Sequence, residues 1–383
     1  MKIGIDVSKT AIGIKDGINN YVHNLVKYLA RIDKTNRYIL YPFFTHTLPP
    51  KYEKAYCPEN DNFKLKFNNW PKWLVRYLWF KLKKNKKLLL GRVDVLHSSC
   101  WEAFEYPYGK LIATIYDVSF LTHPQFHEPH NIALANDGCL SAVKYADKII
   151  AISENTKKDI IKYFPCDPEK IKVIYLGADE RFKVYDKAET DAVLSKYNIN
   201  KKYIFNAGSI EPRKNLIGLI KAYHSLPGTL KEEYDLIITG SQGWLNSDIY
   251  NTVKILGLGD KIRFTGPVPD EDLPYLYNGA TIFVYPSFYE GFGLPVLEAM
   301  QCGCPVITSD VSSLPEVAGN AALLVDPEDI DDIKNSMNKL LTDEGLRKRL
   351  SIKGLEQAGN FSWDKCARET LEVYEDLFKN ADK

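Results

Sequence analysis

At 383 residues, 45% hydrophobic and 26% charged, the chain is too long for one ordinary core and too balanced to be disordered or fibrous, so two globular domains are expected. The formal net charge of +1 hides an asymmetry: residues 1–185 hold 29 Lys and Arg against 19 Asp and Glu, making that half +10 and the remainder −9. Oppositely charged halves suggest different partners, and basic residues without a recognisable reading motif argue against nucleic acid.

Seven cysteines without a CxxC pair fit reduced thiols better than a disulfide framework, which makes the cytoplasm the expected compartment. Cys302 and Cys304 flank Gly303 before a strand-like run and read as packing residues rather than zinc ligands. The start, MKIGIDVSKT, lacks the features of a secretory signal, and apolar runs such as KIIAI fall far short of the roughly 20 residues that cross a bilayer.

In chain order, KIGIDV predicts a strand, followed by a loop with Gly13 and Gly17 and an amphipathic helix around NNYVHNLVKYLARI. YILYPFF reads as a second strand. Residues 70–90 then carry seven basic and no acidic residues, with Trp70, Trp73, Leu74, Tyr77 and Leu78 on one helical face. Two readings stay open for this segment: an interfacial helix on an anionic membrane, or an apolar stripe packed on its own domain with a wet lysine side. Strand signals continue at VDVLHSS, KLIATIYDV, KIIAIS and KVIYLG, giving an open, mostly parallel sheet flanked by helices.

After a charged stretch the pattern restarts with YIFNAGSI, YDLIITG, KIRFTGPV, TIFVYPS, CPVITSD and AALLVDP, which predicts a second sheet of similar design with a linker near 180–200. The tail FSWDKCARETLEVYEDLF reads as a capped helix. The expected division is 1–185, 186–360 and a helix over 361–383 crossing back to the N-terminal domain. Ligands in such folds sit at the carboxyl ends of the strands.

Two strand-loop-helix junctions in the second sheet carry the chemistry. In YPSFYEGFGLPVLEA, Gly291 and Gly293 let a ligand approach the backbone, and the helix starting near Pro295 turns its amides toward negative charge. Glu290 lies before that helix and Glu298 inside it, so the two carboxylates can address separate parts of one elongated ligand. In NAGSIEPRKN, Arg213 and Lys214 precede a helix on the same side of the same sheet.

GSIEPRKN together with Glu290-GFGLPVL-Glu298, an E-x7-E pattern, resembles the GT-B glycosyltransferases of family 4, with counterparts along nearly the whole chain. EPRKN and YDVSFLTHP most resemble enzymes of bacterial surface-polysaccharide assembly, many of them mannosyltransferases. The resemblance implies an α/β GT-B fold of two facing Rossmann-like domains with a donor cleft between them. It also implies a retaining hexosyltransferase that moves a sugar, first mannose from GDP-mannose, to a hydroxyl of a glycan or lipid-linked oligosaccharide. UDP-glucose and dTDP-rhamnose are the alternative donors. By the same resemblance Arg213 and Lys214 bind the diphosphate, Glu290 the sugar hydroxyls with the amides of Phe292, Gly293 and Leu294 nearby, and Glu298 the ribose. Ser209, Gly291 and Gly17 complete the donor set, and Val268 meets the base.

No essential metal or other cofactor is expected: Asp270/Asp272 and Asp329/Asp331 have DxD spacing but read as helix-start acids. The family commonly has a His-Asp pair where this chain has Tyr116 and Asp117. Asp117 can orient or deprotonate an acceptor hydroxyl or merely cap a turn, while Tyr116 and His123 are further acceptor-side candidates. His97 and His127 are left as a satisfied polar residue or a ligand contact. A nucleotide-sugar epimerase or an inactive donor-binding protein are the rival readings.

If residues 70–90 form an interfacial surface, vesicles containing anionic lipid should pellet the protein at low salt. Replacing Lys81, Lys83, Lys84, Lys86 and Lys87 by Gln should abolish that co-sedimentation, since each basic residue near such a surface contributes about 1 kcal/mol. Equal recovery of both proteins would return the segment to a packed stripe.

Overall fold

The computed structural model describes residues 1–11, 17–42, 55–66, 90–243 and 246–380; the 70–89 stretch of the basic segment and Gly13 lie outside them. The chain forms two compact units, residues Met1–Gly177 with Trp363–Lys383, and Ala178–Ser362.

In the first unit the strands β1 (Lys2–Asp6), β2 (Arg37–Tyr41), β3 (Phe63–Leu65), β4 (Val95–Ser98), β5 (Lys110–Ile115), β6 (Lys148–Ala151) and β7 (Ile171–Val173) form one sheet in the order β3-β2-β1-β4-β5-β6-β7. Every pairing in it is parallel. Near-continuous apolar runs such as Ile149–Ala151 have no solvent face because helices cover both sides of a parallel sheet. The strand β3 carries no sequence signal of its own. It is three residues long at the sheet edge and is recognised by its register, with Phe63 stacked on Tyr38 at 4.1 Å.

The second unit repeats the design with β8 (Lys202–Ala207), β9 (Tyr234–Thr239), β10 (Ile262–Gly266), β11 (Ile282–Tyr285), β12 (Val306–Ser309) and β13 (Ala322–Val325), ordered β10-β9-β8-β11-β12-β13 and again parallel. The stretch expected as a linker near 180–200 contains a helix, Lys187–Lys196. Its N-cap Asp186 accepts a hydrogen bond from the amide of Glu189, a local signal that the charged composition obscured. Strand order reverses between β1 and β4 in one sheet and between β8 and β11 in the other. Loops that leave neighbouring strands in opposite directions open a crevice at such switch points.

The C-terminal helix Trp363–Lys379 belongs to the first unit and packs on the helix Gly17–Ile32. The Trp363 and Tyr21 rings meet at a tilt with their centroids 6.2 Å apart, and a buried polar chain lies beside them. His97 Nδ1 shares a hydrogen bond with the Tyr374 hydroxyl (2.6 Å) and His97 Nε2 with Thr114 (2.8 Å), while Thr114 meets the Tyr21 hydroxyl at 3.2 Å. Burial pushes the His97 imidazole down to about 3, so it stays neutral. Both its nitrogens are occupied, which makes it a satisfied core residue. Tyr374→Phe leaves one ring nitrogen of His97 without its partner in the core and should destabilise the first unit by about 1–3 kcal/mol. Thermal unfolding followed by near-UV dichroism reads the loss, and an unchanged midpoint would show that the C-terminal helix does not depend on this bond.

Candidate functional site

The switch point of the second sheet gathers the residues singled out in its two loops. The chain leaves β8 through Gly208, whose φ of +146° suits glycine, and passes Ser209, half-buried, into the short turn Pro212–Lys214. A Cβ on Gly240, at the end of the adjacent strand, would lie 1.8 Å from the Gly208 carbonyl oxygen, so the two strand ends approach closely only because residue 240 is glycine. Asn215 takes the left-handed conformation (φ 53°), caps the helix Leu216–His224 by accepting from the Gly218 amide at 3.2 Å, and donates to the Pro327 carbonyl at 2.6 Å. Asparagine tolerates this backbone better than most residues. The result is a fixed corner carrying Arg213 and Lys214.

The loop after β11 meets that corner: the Phe288 amide donates to the Arg213 carbonyl at 3.0 Å. Arg213 Nη1 lies 3.0 Å from Glu290 Oε2, and Lys214 Nζ lies 2.6 Å from Glu290 Oε1. Two residues the sequence reading did not single out complete the cluster. Glu211 Oε1 accepts from Arg213 Nη2 at 2.6 Å. The Tyr285 hydroxyl accepts from Lys214 Nζ at 2.6 Å and lies 3.0 Å from Glu290 Oε1. All five side chains are buried or nearly so. Burial pushes the Glu290 carboxyl up, but Arg213 and Lys214 outweigh it and hold the group down at about 2. Burial, with Arg213 adding to it, lowers Lys214, and the two glutamates oppose that shift. Burial and then Glu290 keep Tyr285 a neutral phenol.

Gly293 adopts φ +111° at the N-cap of the helix Leu294–Gln301, with Gly291 and Phe292 buried beside it. The Phe292 ring packs edge-on against Phe361 at 5.8 Å, so its side chain is core and only its backbone can serve a ligand. Ser312 and Ser313, after β12, tie this loop down. Ser312 Oγ accepts from the Glu290 amide at 3.0 Å, and Ser313 Oγ donates to the carbonyls of Glu290 and Phe292 at 2.8 Å.

Glu298, inside that helix, is 9% exposed and accepts from the Tyr277 hydroxyl at 3.0 Å. Burial raises its pKa to about 7, with Tyr277 and Arg181 opposing and Asp270 and Asp179 adding. Asp270 follows Pro269 in the loop after β10 that also carries half-buried Val268, so the base-contact candidate shares a neighbourhood with Glu298. Of the acids read as helix-start residues, Asp329 caps the helix Ile330–Thr342 with its side chain, and Asp272 stands at the N-cap position of the helix Leu273–Gly279 with its carboxylate held by Lys196 (3.0 Å) and the Tyr197 hydroxyl (2.8 Å). Among the described residues no group of three or more His, Cys, Asp and Glu side chains is arranged to hold a metal ion. Cys302 and Cys304 are buried, and all seven thiols are free.

In the first unit, Gly17 is exposed at the start of its helix, and a Cβ there would meet nothing within 4 Å. Asp117 Oδ1 accepts from both the amide (2.9 Å) and the hydroxyl (2.7 Å) of Ser119, and that hydroxyl also shares a hydrogen bond with His127 Nε2 at 3.0 Å. Tyr116 is buried, its hydroxyl donates to the Ser99 carbonyl, and its ring packs edge-on against Tyr21. His123 shares a hydrogen bond with Thr122 at 2.9 Å and stacks on Phe126. At this unit's own switch point, buried Asp6 accepts from Ser8 and Ser99. Burial raises it to about 6 with those bonds opposing, a site that the plain strand KIGIDV did not advertise.

The family model for glycosyl transferases group 1 matches residues 189–357 and that for glycosyltransferase family 4 matches residues 15–182. O-antigen chain mannosyltransferase B of Escherichia coli is 39% identical over 69% of this chain and 70% of its own length. A serotype-specific mannosyltransferase WbdA of Escherichia coli is 34% identical over 71% of this chain but only 33% of its own length. The structure of sucrose-phosphate synthase from Thermosynechococcus elongatus superposes with a TM-score of 0.77 at 21% identity, covering 99% of both chains. A two-sheet architecture with its charged cluster at a switch point, both family matches and this degree of identity place the chain among the GT-B glycosyltransferases of family 4.

Proposed function

We propose that this chain is a retaining hexosyltransferase that moves mannose from GDP-mannose to a hydroxyl of a glycan or lipid-linked oligosaccharide in bacterial surface-polysaccharide assembly. The observation that carries the reading is the convergence of Arg213 and Lys214 on Glu290, each within 3.0 Å of one of its carboxylate oxygens, just before the helix that carries Glu298. The similarity to an O-antigen chain mannosyltransferase supports mannose over glucose or rhamnose. The free thiols support a cytoplasmic site of action.

In this reading Arg213 and Lys214 meet the diphosphate and stabilise the charge that grows on it as the glycosidic bond breaks, the work that a metal ion would otherwise supply. Glu290 accepts from hydroxyls of the transferred sugar, with the backbone of Gly291, Phe292, Gly293 and Leu294 and the Ser209 region around the diphosphate. Glu298 takes the ribose hydroxyls and Val268 the base. Gly17 adds a helix-start amide. Asp117 is the acceptor-side carboxylate, its Oδ1 held by Ser119 and so fixed in orientation. Front-face attack through an oxocarbenium-like state retains the anomeric configuration without a protein nucleophile.

A panel of GDP-mannose, UDP-glucose and dTDP-rhamnose, assayed for release of the nucleoside diphosphate, tests the donor. GDP-mannose should be turned over fastest. Arg213→Ala and Lys214→Ala should each lower turnover at saturating donor by roughly 100-fold. Turnover within a few-fold of wild type would remove them from the leaving group.

A carboxylate that accepts from two hydroxyls must be ionised. With Glu298 raised above the usual range to about 7, its proton is lost only as pH rises through that value. GDP affinity measured by calorimetry should therefore strengthen between about pH 6 and about pH 8. The same shift means that stability contributed by the neutral form is fully present below about 4.5 and is lost as pH rises from there through about 7. In Glu298→Gln the pH dependence of affinity should flatten and binding should weaken. A variant that follows the wild-type profile would take Glu298 out of the ribose site.

A further inference from the structure

The two cations at the switch point do not have equivalent partners. Arg213 is held on one side by Glu211, whose side chain is 3% exposed, and by the Tyr289 carbonyl at 2.7 Å. Lys214 is held on one side by Tyr285, a strand residue with no exposure. On the other side both cations share a single carboxylate, Glu290, whose two oxygens are both engaged. Glu290 differs from Glu211 and Tyr285 in being shared by both cations. It stands in the loop before Gly291, and its backbone is anchored separately through Ser312 and Ser313, so its side chain can turn without dragging the loop.

Charge decides what happens when a second anion arrives. Arg213 and Lys214 against Glu211 and Glu290 make a neutral cluster. A diphosphate added to it would face Glu290 across a short distance in a poorly solvated site, where like charges repel strongly. The conflict is relieved if Glu290 gives up the cations. We propose that Glu290 is the exchangeable partner of Arg213 and Lys214, and that Tyr285 and Glu211 are positioning residues that keep the two cations in place when a diphosphate takes over its contacts. This rests on the assignment of Arg213 and Lys214 to the diphosphate.

The exchange couples the two halves of the donor. Both oxygens of Glu290 are committed to the cations until the diphosphate replaces them, and only then are they free to accept from sugar hydroxyls. Recognition of the sugar is thereby made conditional on a diphosphate, and Glu290 acts as an internal competitor for any bare diphosphate.

Calorimetric titration with inorganic pyrophosphate, which carries neither base nor sugar, reads the competition directly. Glu290→Gln keeps the shape but removes the competing charge and should tighten pyrophosphate binding by about tenfold, a coupling of ordinary size. Tyr285→Phe removes the group that holds Lys214 and should weaken it several-fold. A merely structural role for the cluster would move both variants in the same direction. Unchanged or weaker binding in Glu290→Gln overturns the exchange. Should that variant not fold, unchanged pyrophosphate affinity in Tyr285→Phe overturns it instead. Wild-type protein that binds neither pyrophosphate, GDP nor UDP would overturn the donor-site reading itself, a failure distinct from the other two.

Discussion

A carboxylate and two cations taken out of water together constrain the second unit more than any apolar contact does. Removing one partner of a buried ion pair costs about 3–5 kcal/mol because the survivor is left uncompensated. Glu290, Arg213 and Lys214 therefore have to be delivered to one point with sub-ångström accuracy by two loops about seventy-five residues apart in sequence. The surrounding geometry answers that demand. Asn215 turns the first loop in the left-handed region, the Phe288 amide clamps the second loop to the first, and Ser312 and Ser313 fasten the second from behind.

Parallel topology explains why the cluster is where it is. Strands β8 and β11 are neighbours that feed their helices to opposite faces of the sheet, so the loops after them diverge and leave room between them. The first unit has the same arrangement between β1 and β4, yet its corner is chemically different. Asp6 there accepts from the amide and hydroxyl of Ser8 and from the Ser99 hydroxyl, and burial raises it to about 6. One topology thus supplies two strand-end corners of different chemistry, and it is the buried cations of the second that the proposed donor site uses.

What was legible in the sequence follows from how each residue announces itself. Arg213, Lys214, Glu290 and Glu298 stood out because charged residues at strand-loop-helix junctions have no ordinary core explanation. The glycines at 291 and 293 marked the backbone approach for the same reason. Tyr285 and Glu211 were invisible: one reads as a strand aromatic and the other as a loop acid, and only their hydrogen bonds to Lys214 and Arg213 reveal them. Ser313 stands at the N-cap position of the helix Leu314–Ala318, yet its hydroxyl serves the carbonyls of Glu290 and Phe292. The parallel sheets were readable from repeated apolar runs, but β3 was not, because three residues at an edge show no period. His97 needed its partner from the far end of the chain, Tyr374, before its role could be read.

The charge asymmetry of the chain also changes meaning at the level of the site. The half that is −9 overall carries the anion-seeking cations, which would be paradoxical if net charge set the local field. At physiological salt, exposed charges are screened beyond about 8 Å, whereas buried pairs are screened far less. The field felt at the cluster is accordingly set by Glu211, Arg213, Lys214 and Glu290, not by the acidic surface. Placing two cations on that surface instead would leave them to be neutralised by their neighbours and by solvent ions. Holding them in the strand-end corner, each with at least one fixed partner and one shared carboxylate, preserves their charge, in the proposed exchange, for a diphosphate that can compete for it.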